Sequence, residues 1–103
     1  MKDESFKDFV ADQLEGLPDL RARRMFGGFG LYSGNVFFGI ISDDVLYFKT
    51  DEETQRRYSE AGSDCFRPSE KQVLKNYYEV PADILENKEV LLKWAREAVQ
   101  VSV

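Results

Sequence analysis

The stretch "RRMFGGFGLYSGNVFFGIISDDVLYFK" (Arg23 to Lys49) carries five of the chain's seven glycines, set among aromatic and β-branched residues. Three clusters break it up, "GG", "SGN" and "SDD", each with the composition of a tight hairpin turn. The segments near Arg23–Phe26, Gly28–Ser33, Val36–Ser42 and Val45–Lys49 are the length of short strands. Strands joined by turns this tight must run antiparallel. "VFFGIIS" is apolar on both faces, which places it centrally in the resulting sheet.

Helical patterns flank this block. Phe6, Phe9, Val10, Leu14 and Leu17 recur at helical spacing, with Asp3 or Ser5 available as N-cap and Gly16 and Pro18 as the stop. After the strands, "TDEETQRRYSEAG" reads as a second helix, with Thr50 and Glu53 as a capping box and Gly62 just past its end. "CFRPSEKQVLKNYYEV" follows as a short edge strand and a longer strand over Leu74–Val80, since Pro68 is excluded from a central strand. A turn after Pro81 leads to a closing helix from about Asn87, with Val90, Leu91, Trp94, Ala95 and Ala98 on one face. The order α-β-β-β-β-α-β-β-α predicts an α+β fold. Its single antiparallel sheet of five to six strands would carry helices mainly on one face.

At 103 residues the chain is expected to form one domain, 1–103. Eight Phe, five Tyr and one Trp supply a core without disulfides or metal. Cys65 is the only cysteine, so no internal disulfide can form, and a reducing, cytoplasmic location is expected. No apolar run reaches the roughly 20 residues of a membrane span. No membrane association is expected.

Net charge is −5, and nucleic-acid affinity depends on Lys and Arg that neutralise phosphates. Positive charge concentrates only in "RARR" (Arg21, Arg23 and Arg24) and at Arg56 and Arg57. An acidic first helix precedes the run. Nucleic acid is therefore a disfavoured partner for the whole chain, and a possible one for this cluster alone.

The sequence contains no histidine, which removes the commonest general base, the Ser-His and Cys-His dyads and most zinc sites. Asp43-Asp44 reads as a turn signal, and Asp51, Glu52 and Glu53 as acids favourable to a helix N-terminus. Cys65 reads as a small core residue. No catalytic residue, metal or cofactor is expected.

The glycine-rich stretch itself admits three readings. "GGFG" lacks the G-K-[ST] ending of a phosphate loop and leads into a strand, not a helix. "GGFGLY" approaches the RNA-reading strand of an RRM, but Gly27 stands at the basic position and Leu31 at an aromatic one. The third reading is structural: Gly27 and Gly28 supply a positive φ or a bulge, and Gly30 leaves room for a ring. Tyr32, Phe37, Phe38, Tyr47, Phe48, Tyr77 and Tyr78 alternate across both sheet faces, and helices can cover only one. The other is either a surface for a protein partner or dimer mate, or plain, partly shielded surface.

"RRMFGGFGLYSGNVFFGIISDDVLYFKTD", "RRYSEAGSDCFRP", "YYEVP" and "LLKWAREA" together resemble the TfoX N-terminal domain, the family named for the Sxy/TfoX regulators of natural competence. The resemblance runs from about Arg23 to Ala98. It implies an α+β domain with an antiparallel sheet and a role in transcriptional regulation. The full-length regulators act without known catalysis, as coactivators alongside the cyclic-AMP receptor protein. They carry a second, C-terminal domain resembling helix-hairpin-helix modules, and no such domain is expected here. A protein-interaction role follows, with a transcription factor as the expected class of partner. Arg21, Arg23, Arg24, Tyr32, Arg56 and Arg57 are the candidate partner-binding residues. Direct nucleic-acid binding through Arg21–Arg24 and a dimeric or chaperone-like scaffold are the alternatives.

Overall fold

The computed structural model describes residues 4–25 and 27–103. Within them the strands are β1 (Leu20–Met25), β2 (Gly28–Ser33), β3 (Val36–Ser42), β4 (Val45–Lys49), β5 (Cys65–Phe66) and β6 (Leu74–Glu79). The helices are α1 (Ser5–Gln13), α2 (Glu52–Glu60), α3 (Ala82–Leu85) and α4 (Lys88–Ser102). All six strands join one antiparallel sheet in the order β1-β2-β3-β4-β6-β5. β3 is internal, as its two apolar faces require, and β5 is a two-residue edge.

β2, β3 and β4 span the residues expected from sequence. β1 begins earlier, at Leu20, and the expected strand end at Phe26 lies outside the described residues. Ser33 pairs with Val36 and Ser42 with Val45, leaving two-residue loops. Asp43 and Asp44 both take left-handed φ, 51° and 59°, the backbone of a twisted two-residue hairpin turn. "SDD" is thus turn chemistry.

The sheet buries one face against the helices. Leu31, Phe38, Ile41, Leu46, Phe48 and Val80 meet Val10 of α1, Tyr58 of α2, and Leu91, Trp94, Ala95 and Ala98 of α4. Each such fully buried Leu stabilises the fold by about 1.5–3 kcal/mol. Edge-on packing of Tyr58 against Trp94, 4.8 Å between centroids, ties α2 to α4. A smaller cluster of Ile40, Phe66 and Tyr77, with Phe37, Tyr47 and Leu74 packed on it, lies on the helix-free face.

Strict alternation cannot put both Phe38 and Ile41 on the helix side, because they are three residues apart. A bulge resolves this. Leu31 pairs with Gly39 and Tyr32 with Phe37, so Phe38 is the extra residue. The bulge therefore lies in β3, opposite β2, and of the positive φ or bulge expected at Gly27–Gly28 it is the positive φ that occurs. Gly27 does take a positive φ, +74°. A Cβ at Gly28 would fall 1.9 Å from the Ile41 carbonyl oxygen, so this position needs glycine for close backbone approach. Gly30 makes room as expected, for the thioether of Met25 as well as the ring of Phe37.

Other expectations shift by a few residues. α1 stops at Gln13, and Leu14 and Leu17 are buried from the turn that follows. Phe9, expected on the apolar face, is 41% exposed with its ring against Phe6. Glu4 stands at the capping position of α1 and Ser5 is already helical, while Asp3 lies outside the described residues. The α2 capping box is Asp51 with Thr54, one residue beyond the expected pair. Thr50 is instead buried, and its hydroxyl donates to the Asn76 carbonyl (2.9 Å). β6 ends at Glu79, one residue short, although the Val80 N–H still donates to Leu46 O (2.8 Å). α3 occupies what reads in sequence as a turn, after which Asn87 caps α4 by accepting from the Val90 N–H. Cys65 is half-buried on the edge strand, not in the core.

Candidate functional site

The "RARR" run forms most of β1, an edge strand on which Arg21 through Arg24 are exposed. Because successive side chains leave a strand on opposite faces, the run divides. Arg21 and Arg23 lie on the helix-free face with Tyr32, and the Arg23 guanidinium is 5.9 Å from the Tyr32 ring centroid. Arg24 points to the helix side, 5.2 Å from the Phe29 ring, and forms an ion pair with Glu4.

The remaining arginines do not join them. Arg56 is exposed on α2. Arg57 packs 4.4 Å over the Trp94 ring and pairs with Glu97, which makes it a strut between α2 and α4. Of the six residues expected from sequence, the fold unites three: Arg21, Arg23 and Tyr32.

From Tyr32 a chain of rings crosses the helix-free face. Tyr32 and Phe37 centroids are 5.2 Å apart, and Phe37 and Tyr77 are 5.8 Å apart. Lys49 lies 5.2 Å over Tyr77. Tyr47 and Phe66 make a second contact at 4.5 Å. By packing on one another these rings are half-buried or buried without any helix, which makes this face a partly shielded aromatic floor.

Charge is unevenly spread over this floor. Arg21, Arg23 and Lys49 border the Tyr32–Tyr77 row. The Tyr47 side is acidic: burial, then the carboxylates of Glu79, Asp43 and Asp64, push its hydroxyl above the usual tyrosine range. Tyr77 is raised by burial and by nearby Tyr32. Both phenols are therefore neutral donors near neutral pH. Arg21 is committed to Asp19 at 3.1 Å. Arg23 makes no ion pair among the described residues, so its charge is open to an incoming group.

Two hollows lie elsewhere. One of about 210 Å3 is lined by Glu4, Arg24, Phe29, Asp43 and Asp44, and Arg24, its only cation among the described residues, is already paired to Glu4. The other, between α2 and the β5–β6 pair, is lined by Glu52, Asp64, Cys65, Arg67 and Lys75. Among the described residues no three His, Cys, Asp or Glu side chains gather in a way that could hold a metal ion. No helix among them is long and apolar enough to cross a membrane.

A family model described as TfoX N-terminal domain matches residues 12–102. The chain belongs to the TfoX N-terminal domain family. It is 31% identical over 103 residues to a protein of Aliivibrio fischeri named DNA transformation protein TfoX1, covering 97% of this chain and 47% of that relative. The chain thus spans about half the length of this curated relative.

In this TfoX N-terminal domain, Phe37, Lys49 and Tyr77 also belong to the surface; the sequence marks Phe37 and Tyr77 as sheet-face rings without showing which face they share, and it does not single out Lys49. Phe37 and Lys49 are legible only through register, since each directly opposes a ring: Phe37 faces Tyr32, and Lys49 faces Tyr77. Tyr77 reaches the site because β6 inserts beside β4, a crossover that nothing local encodes.

Proposed function

We propose that this TfoX N-terminal domain is a non-catalytic protein-interaction module that acts in transcriptional control within the cytoplasm. Its partner binds the β1 end of the helix-free sheet face. The observation that carries this reading is the continuity of Arg21, Arg23, Tyr32, Phe37 and Tyr77 on that face, with Arg23 free of any carboxylate among the described residues. A cation beside closely packed rings is the composition of a protein-binding hot spot, in which Arg and Tyr are enriched. Membership of a family named for a regulator of competence, and the relative named as a DNA transformation protein, support the regulatory context.

Direct nucleic-acid binding through Arg21–Arg24 fits less well. Phosphate tracking needs several unpaired cations on one surface, and here Arg24 turns to Glu4, Arg57 to Glu97 and Arg21 to Asp19.

The test is affinity capture from native lysate with the wild-type chain, Arg56→Ala, and the double variant Arg21→Glu/Arg23→Glu. The wild type and Arg56→Ala are expected to recover a transcription factor or polymerase component that the double variant loses. Recovery of no such protein, or equal recovery by all three, would overturn the proposal.

A further inference from the structure

We infer that the partner adds an extended, acidic strand to the outer edge of β1. This rests on the interaction reading above and specifies its chemistry. Gly34 N–H donates to the Asp19 carbonyl at 2.9 Å, which fixes the side of the chain that faces β2 at this end. Peptide groups alternate sides along an extended strand. The N–H and C=O of Ala22 and Arg24 therefore point away from β2, into solvent. No hydrogen bond meets these groups among the described residues. They are a ready template for another strand.

The opposite edge does not offer the same. β5 is two residues long, and Pro68 just beyond it has no N–H to donate. β1 is the long unpaired edge, and its arginines select what can pair with it. Antiparallel self-pairing of two β1 strands, whether centred on Ala22, on Arg23 or between them, sets arginine opposite arginine. Like charges directly opposed destabilise a strand pair, so a second copy of this edge is disfavoured as the occupant.

An acidic strand reverses that sign. Arg21 and Arg23 stand two residues apart on the helix-free face, about 7 Å along the strand. Of the acids at alternate positions of an added strand, one would lie beside Arg23, which has no ion pair among the described residues, next to the Tyr32 ring. Another would lie beside Arg21, which it would share with Asp19. The intervening side chains would fall on the other face, beside Ala22 and beside Arg24, which is already paired with Glu4. The occupant is therefore an extended segment that alternates acidic with apolar or β-branched residues.

The probe is a fluorescein-labelled peptide of strictly alternating glutamate and valine, read by fluorescence anisotropy with the full chain. A second peptide of the same sequence carries backbone N-methyl groups on alternate residues, which keeps charge and side chains but removes ladder donors. The first peptide is expected to bind, and the N-methylated one to bind at least about tenfold more weakly. Arg23→Glu is expected to weaken the first peptide by a similar factor. Hydrogen exchange supplies a readout independent of any variant. The Ala22 and Arg24 amides should be fast in the free protein and protected on binding, while the inward Arg23 amide is slow in both. Equal binding of the two peptides, or unchanged exchange at Ala22 and Arg24 on saturation, would overturn strand addition. Absence of peptide binding would also overturn it. The interaction reading would survive these outcomes if the lysate partner is still captured in an Arg23-dependent way, and would fall with them if it is not.

Discussion

The guanidinium of Arg57 sits over the Trp94 indole, 4.4 Å from the ring centroid, and pairs with Glu97 on the same helix. Cation–π contact at a partly exposed site is worth about 0.5–1 kcal/mol, more when shielded from water. Arg57→Ala is expected to destabilise the fold by about 1–2 kcal/mol in urea denaturation, because stem packing is lost as well. Arg56→Ala should stay within about 0.5 kcal/mol of wild type. Equal effects of the two would contradict the strut role given to Arg57.

Gly28 and Gly30, two residues apart in β2, meet different obstacles. At Gly28 a methyl would strike the Ile41 carbonyl oxygen, and strands β2 and β3 would have to part. Gly28→Ala should cost upwards of about 4 kcal/mol, in the exceptional range for one substitution. At Gly30 it would meet the end of the flexible Met25 side chain at 2.6 Å and the edge of Phe37 at 3.0 Å. Gly30→Ala should cost about 1–3 kcal/mol, as overpacking does. Thermal melts of both variants would reverse this order if the register were wrong.

The bulge in β3 makes neighbours of unequal weight. Phe38 is 0% exposed in the main core, whereas Phe37 is half-buried on the helix-free face. Phe38→Ala should cost about 3–5 kcal/mol and Phe37→Ala clearly less. Denaturant midpoints that rank them the other way would place Phe38 outside the helix-packed layer.

Asp51 caps α2 by accepting the Thr54 N–H at 2.9 Å, and this bond holds its carboxyl below the usual aspartate range. The folded-state pKa is thus lower than the unfolded one. Its stabilising contribution is complete above the unfolded value, about 4, and is lost as pH falls through the folded value. Asp64 and Glu15 are held down in the same direction, by the Cys65 N–H and by Lys88. Asp51→Asn keeps an acceptor that does not titrate, so the difference isolates one group. Its melting temperature should fall less between about pH 6 and pH 3 than that of wild type. An identical acid limb would show that Asp51 makes no such contribution.

Most of the fold was legible locally. Hairpin turns, the helical spacing of Leu91, Trp94, Ala95 and Ala98, and the apolar run of β3 each act over a few residues. Their physics is the same in the isolated segment as in the whole. What escaped depends on distant partners. The cap moved from Thr50 to Asp51 because Thr50 is drawn into a bond with Asn76, twenty-six residues on. The bulge at Phe38 is set by pairing with β2, and no residue type announces it. The arginine run looked like one site, yet strand alternation sends Arg24 to the opposite face from Arg21 and Arg23. Arg57 looked like a binding residue until its ring partner on α4 came into view.

The most direct test of the interaction surface compares two charge reversals that change net charge equally, Arg23→Glu and Arg56→Glu, in titrations against the captured partner. Both arginines are exposed, and only Arg23 belongs to the aromatic face. Arg23→Glu is expected to weaken binding by at least about tenfold, with Arg56→Glu within about twofold of wild type. Equal losses at the two positions would mean that the partner responds to overall charge, and would contradict a site at the β1 end of the sheet.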